Sequence, residues 1–235
     1  MTLTTQRLDS FLAKHCQISK GDVRLMLAQK RVKVDGENLL SVEQRINKFS
    51  KIVLDDQVLQ DNQAYYVMLH KPIGVVCATK DEKHQTVIDI LPFAFKHELH
   101  IVGRLDLNTS GLVLLTNDSR WSEAITQPKQ KIEKTYQVTL QNPLDQSYVA
   151  GFKQGMYFAY EDITTLPAQL TITGVNTAEV KLVEGKYHQI KRMFGRYQNA
   201  VTALHRNQIG HITLDHQLPV GHSRLLTAQE INSFR

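Results

Sequence analysis

Gly103-Arg104-Leu105-Asp106-Leu107-Asn108-Thr109-Ser110-Gly111-Leu112-Val113-Leu114-Leu115-Thr116-Asn117-Asp118 divides into two halves of opposite character. Leu112 to Leu115 is a short apolar run held between Ser110-Gly111 and Asn117-Asp118, which reads as a buried strand between two turns. The first half sets a carboxylate, Asp106, between two leucines and two residues after Arg104. Burying an acid among apolar residues is costly unless it is paired. A carboxylate in a partly desolvated cleft is also a common catalytic arrangement. The plainer reading is a surface ion pair between Arg104 and Asp106.

Working outward, the 235 residues suit one large or two modest domains. A 42% hydrophobic content is enough for a real core. No run approaches the length of a membrane span, and the N-terminus lacks the apolar centre of a signal peptide. Cys16 and Cys77 fit no metal or redox spacing, so a cytoplasmic protein with free thiols is expected. The net charge of +5 is unevenly spread. Residues 1–51 hold ten Lys/Arg against five Asp/Glu, and such a basic block points to a polyanion, nucleic acid first.

In that block, Leu8, Phe11 and Leu12 predict a short helix over about 7–14. Ser19 is a suitable N-cap for a second helix with the stripe Val23, Met26 and Leu27. Lys20, Arg24, Lys30 and Arg31 project from that helix or its end. Val32-Lys33-Val34 followed by Asp35-Gly36 predicts a strand and a hairpin turn, and Ile52 to Leu54 another strand. The succession Arg7-Leu8-Asp9, Ser19-Lys20, Arg24 and Val32-Lys33-Val34-Asp35-Gly36 resembles the S4 (αL-type) RNA-binding domain. That resemblance implies RNA contacts through Arg7 and the basic helix. The polar stretch 55–64 is the expected boundary, giving domains 1–58 and 65–235 joined by a linker over 59–64.

Beyond it, Tyr65 to His70 predicts a strand ended by the Lys71-Pro72-Ile73-Gly74 turn. Thr86 is expected to cap a short helix ending near Leu91-Pro92, and Ser119 a helix carrying Trp121, Ala124 and Ile125. Lys134 to Leu140 alternates as a strand, with Tyr136, Val138 and Leu140 on one side. A helix over 145–154 and strands over 170–173 and 178–183 complete an α+β domain with a mainly antiparallel mixed sheet. A second concentration of chemistry lies at Glu184-Gly185-Lys186-Tyr187-His188-Gln189-Ile190-Lys191-Arg192-Met193, where a strand turns into a helix. From 181 to 206 there are six Lys/Arg and one acid, a pattern suited to phosphate contacts. Ala203-Leu204-His205-Arg206 again sets basic groups after an apolar run. There is no P-loop, dinucleotide glycine fingerprint or paired His-Glu zinc helix, so chemistry free of cofactor and metal is expected.

Gly103-Arg104-Leu105-Asp106 with Thr109-Ser110-Gly111-Leu112, then Lys134-Thr135-Tyr136, then the Tyr187-His188-Gln189-Ile190-Lys191-Arg192 run resemble the ordered motifs of the pseudouridine synthases. More narrowly they resemble the ribosomal small-subunit pseudouridine synthase A family, over nearly the whole chain. Large-subunit relatives tend to carry an arginine where Lys191 stands. The resemblance implies conversion of a specific uridine in 16S ribosomal RNA, position 516 for the family, to pseudouridine. It implies Asp106 as the catalytic carboxylate, Lys191 as its cationic partner and Tyr136 as a ring stacked on uracil. Leu105 and Ile190 would be apolar pocket walls, and Arg104 would hold the opened RNA. A charged Asp106 needs a cation beside it. RNA contacts are further expected from Lys71, His188, Gln189, Arg192, His205 and Arg206. The partner is ribosomal RNA, alone or in a partly assembled particle, bound by a monomer away from any membrane. Two other readings are a non-catalytic RNA-binding or ribosome-assembly protein and a glycosidic hydrolase; the second lacks the paired acid such hydrolysis uses.

Overall fold

A computed structural model describes residues 5–38 and 41–234. The chain divides into two compact units, Met1–Ala64 with Asp118–Arg120, and Tyr65–Asn117 with Trp121–Arg235.

In the first unit a short strand β1 (Gln6–Arg7) leads into helices α1 (Leu8–Cys16) and α2 (Lys20–Ala28). Helix α2 starts where the sequence signals it. The Ser19 hydroxyl accepts from the Asp22 amide, and the Asp22 carboxylate accepts from the Ser19 amide. This reciprocal cap satisfies two amides that a helix start leaves open. Strands β2 (Val32–Val34), β3 (Glu37–Asn38), β4 (Arg45–Ile46), β5 (Ile52–Leu54) and β6 (Gln57–Gln60) follow. β4 pairs with β1, and the others form a sheet in the order β3-β2-β5-β6. Leu8, Leu12, Val23, Leu27, Val32, Val34, Ile46 and Ile52 make its core. The polar stretch expected to begin the linker is partly strand. Asp55 and Asp56, both at positive φ, make the turn of the β5–β6 hairpin, whose edge position tolerates polar residues.

The second unit is α+β around a mixed, mainly antiparallel sheet. Its strands are β7 (Tyr66–Lys71), β8 (His100–Val102), β9 (Ser110–Thr116), β10 (Lys134–Leu140), β13 (Gln169–Gly174), β14 (Thr177–Leu182), β15 (Val201–Ile209), β16 (Ile212–Thr213) and β17 (Ser223–Leu225). A separate small hairpin pairs β11 (Tyr157–Phe158) with β12 (Ile163–Thr164). The helices are α3 (Ser119–Thr126), α4 (Gln146–Gln154), α5 (Gln189–Gly195) and α6 (Ala228–Asn232). The main path is β13-β14-β10-β15-β9-β7-β17, and β15–β9 is its one parallel pair among the described residues. Leu112 to Leu115 are wholly buried in β9, as their unbroken apolar run requires of a strand covered on both faces.

Two helix expectations change. Thr86 does make a cap, its hydroxyl and amide both donating to Asp89, but it closes a single turn rather than a helix, and Pro92 follows. At α3 the cap is Asp118 instead of Ser119, with Asp118 Oδ1 accepting from the Arg120 amide.

One edge of β9 changes partner partway. Its start, Ser110 and Gly111, pairs with His205 and Arg206 of β15, and its end, Leu114 to Thr116, pairs with β8. β7 takes the other edge. The parallel contact needs a glycine: a Cβ on Gly111 would stand 2.3 Å from the Arg206 carbonyl oxygen, and its φ is +113°. The segment 103–109, which carries Asp106, leaves β8 and re-enters at this split.

Candidate active site

The segment 103–109 has few hydrogen bonds to itself; two buried cations hold it. Lys71 ends β7 on the same face as Val67 and Leu69 and is 0% exposed. Its Nζ donates to the carbonyls of Thr109 (2.7 Å), Pro72 (2.9 Å) and Asp106 (3.1 Å), with Leu107 at 3.4 Å. Burial pulls its pKa below the usual lysine value, and the Cys77 thiol and the Asp106 carboxylate act against that fall. Arg206, two residues after Leu204 on the same face of β15, is 2% exposed. Its Nε donates to the Leu112 carbonyl at 2.9 Å, where β9 exchanges β15 for β8, and its Nη1 to the Arg104 carbonyl at 3.3 Å. The same Nη1 lies 3.5 Å from the Tyr136 hydroxyl. The Leu105 amide donates to Cys77 Sγ at 3.3 Å, and burial raises that thiol's pKa. Gly74 and Thr109 add backbone bonds to the Leu107 and Asp106 carbonyls.

Thus fixed, Asp106 turns its carboxylate to the start of α5. Oδ2 stands 3.2 Å from Lys191 Nζ and 3.5 Å from His188 Nε2. The acid and the lysine are each about one-third exposed, open to a ligand yet close enough for charge to count. Lys191 is a point charge with rotatable donors, so one carboxylate oxygen faces it and the other is left open. Leu105 and Ile190 are buried beside these residues in sequence, and Tyr136 is buried in β10 with its hydroxyl toward Arg206. Arg104 is exposed.

Three residues expected to touch RNA have other work. Lys71 and Arg206 are enclosed: the Lys71 ammonium donates to backbone carbonyls, and Arg206 donates to two carbonyls and the Tyr136 hydroxyl, leaving its buried Nη2 without a partner among the described residues. Gln189, 4% exposed, donates to Glu184 Oε1 at 2.6 Å and accepts from the Lys186 amide at 2.9 Å. Burial removes all three from direct contact with RNA. Arg192 is engaged as well: its guanidinium forks onto Glu161, both bonds 2.6 Å, and lies 3.8 Å over the Phe158 ring. His205 Nδ1 lies 2.8 Å from Ser110 Oγ, and burial, then neighbouring His70, holds its pKa below 6.5. In the N-terminal unit, Arg7 grips the buried Asp9 carboxylate and also Glu43, and Arg31 pairs with Asp55. Lys20, Arg24 and Lys30 remain exposed. Cys77 and Glu161 were not signalled as site residues by the sequence, because nothing in their local pattern tells which distant group they meet.

Among the described residues, no group of three His, Cys, Asp or Glu could hold a metal ion, and no helix is long and apolar enough to cross a membrane.

Residues 65–195 match the RNA pseudouridylate synthase family. The ribosomal small subunit pseudouridine synthase A of Pseudomonas aeruginosa is 46% identical, over 97% of this chain and 99% of that protein. The Yersinia pestis protein of that name is 41% identical, over 97% of each. A solved pseudouridylate synthase crystal structure superposes with a TM-score of 0.71 at 37% identity, covering 97% of this chain and 99% of that one.

Proposed function

The chain belongs to the RNA pseudouridylate synthase family, and from that premise we propose that it converts one uridine of small-subunit ribosomal RNA into pseudouridine, with Asp106 as the essential carboxylate. The observation that carries this reading is the Asp106–Lys191 contact of 3.2 Å, on a segment whose backbone is fixed by Lys71 and Arg206. A carboxylate aimed by its backbone and paired on one oxygen offers the other to a substrate at no cost in reorganisation.

The reaction is an isomerisation and needs no outside reagent. The target uridine leaves its stack, as any base must that is worked on by a pocket. The bond from N1 of uracil to the ribose breaks. Asp106 acts either as nucleophile, on the ribose or the base, or as base for a ribose proton. The freed uracil turns, its C5 bonds to the ribose, and the C5 proton departs while N1 takes up a proton, so the product is an isomer of the substrate. Tyr136 is assigned the stacking face and, through its hydroxyl, the removal of that proton. Leu105 and Ile190 are assigned the apolar walls, which limit water at a step where water would divert the sugar. Arg104, exposed next to Asp106 in sequence, is assigned to the phosphate or the gap beside the flipped nucleotide. The N-terminal unit is assigned the part of an S4-type RNA anchor through Lys20, Arg24 and Lys30. The family's uridine in 16S ribosomal RNA is the expected target, and a monomer the acting form.

The test is pseudouridine mapping of small-subunit ribosomal RNA, naked and in partly assembled particles, with the wild type and Asp106→Asn. One new site made by the wild type and absent with the variant is expected. A site that survives Asp106→Asn removes Asp106 from the chemistry. No site on either substrate, with RNA still bound, favours the non-catalytic binding protein.

A further inference from the structure

The ring of Tyr187 is 72% exposed, yet it is ordered against a neighbour: it lies on His188 with centroids 3.9 Å apart and planes 19° from parallel. One face is covered and the other is open to solvent. The turn presenting this pair is braced from several sides. His188 adopts a left-handed backbone, φ 48°, which a non-glycine residue takes only when its surroundings impose it. Arg192 Nη1 donates to the Tyr187 carbonyl at 3.3 Å, while the guanidinium is clamped by Glu161 and Phe158. Gln189 ties the Lys186 amide to Glu184. Side chain and backbone are therefore set before any ligand arrives.

The pair also abuts the chemistry, since His188 Nε2 is 3.5 Å from Asp106 Oδ2. Lys186 is exposed on the same turn, and the nearby acids Glu184, Glu161 and Asp106 are taken up by Gln189, Arg192 and Lys191. A flat, open aromatic face in cationic surroundings suits a base on a polyanion better than an apolar protein side chain.

We propose that the Tyr187–His188 stack is a nucleobase platform, and that the open face of Tyr187 takes a base of the RNA next to the uridine presented to Asp106. The proposal rests on the function assigned above. Extruding a uridine strips its neighbours of one stacking partner, and the platform replaces that partner with a ring already in place. Tyr187 thereby binds substrate and takes no part in bond breaking, and its π-face is indifferent to which base it meets.

The experiment compares wild type, Tyr187→Phe and Tyr187→Ala by steady-state pseudouridine formation on small-subunit ribosomal RNA. Tyr187 is exposed, so neither change threatens folding. The phenylalanine variant should match the wild type, and the alanine variant should show a KM raised about 5- to 150-fold with kcat little changed. An unchanged KM in Tyr187→Ala, with an active wild type, overturns the platform and leaves the proposed function standing. A loss in Tyr187→Phe equal to that in Tyr187→Ala also overturns it, because the hydroxyl and not the ring would then matter. A wild type that makes no pseudouridine overturns the proposed function, and the platform with it.

Discussion

Replacing Lys71 by methionine tests how far the placement of Asp106 depends on a single buried ammonium. Methionine is close to lysine in length and volume, so no large cavity opens and the change is nearly confined to charge and hydrogen bonding. Nζ makes three short bonds, to Thr109 at 2.7 Å, Pro72 at 2.9 Å and Asp106 at 3.1 Å. Hydrogen bonds to a charged group contribute about 1.5–3 kcal/mol each, roughly 5–9 kcal/mol together. Taking the ammonium out of water costs several kcal/mol of that, as the lowered pKa of Lys71 also indicates. Removing it takes the ammonium donor from the Thr109, Pro72 and Asp106 carbonyls, of which only the Asp106 carbonyl keeps a further bond, from the Thr109 amide, and a net loss of about 3–5 kcal/mol follows. For a unit of this size, each kcal/mol is worth roughly 2–4 °C, so the melting temperature should fall by about 6–20 °C. Trp121 is the chain's one tryptophan and lies in the second unit, so its fluorescence follows that unit alone. Wild type and Lys71→Met would be melted side by side. A midpoint within about 2 °C of wild type would show that the carbonyl cage does not hold the segment, and would refute the argument.

Two further perturbations probe the same region. Gly111→Ala forces a Cβ against the Arg206 backbone at a φ unsuited to L-residues, and should cost about 2–6 kcal/mol, seen as lost soluble yield or a large drop in urea midpoint. His205 should make stability pH-dependent: its folded pKa lies below 6.5, so below that pH the unfolded chain binds more protons and the fold weakens as pH falls. His205→Gln should flatten that slope in urea titrations between about pH 7 and 5, and an unaltered slope would assign it to other groups.

Local signals were the readable part of this chain. Ser19 marked the start of α2, and the alternation of Lys134 to Leu140 matched β10 residue for residue. Asp106 and Lys191 could be matched to family motifs, but their 3.2 Å contact joins residues 85 positions apart and exists only in the fold. The polar residues of the site misled most. Lys71, Gln189 and Arg206 read as RNA contacts because polar groups usually face water. The alternation of strands argued otherwise for two of them, since Lys71 shares a face with Leu69 and Arg206 with Leu204. What no local pattern supplied was the set of carbonyls that makes such burial tolerable. The polar stretch at 55–60 misled in the opposite direction, because an edge hairpin can be as hydrophilic as a linker.

The place of β15 in the sheet carries a consequence for the order of assembly. It is made late, at residues 201–209, yet it stands in the middle, between β10 and β9. Without it, no described pairing joins β13-β14-β10 to β8-β9-β7. Its entry joins them and brings Arg206 to carbonyls 94 and 102 positions upstream. Closure over such separations is slow relative to local pairing. A growing chain therefore makes the Asp106 segment about a hundred residues before the arginine that braces it.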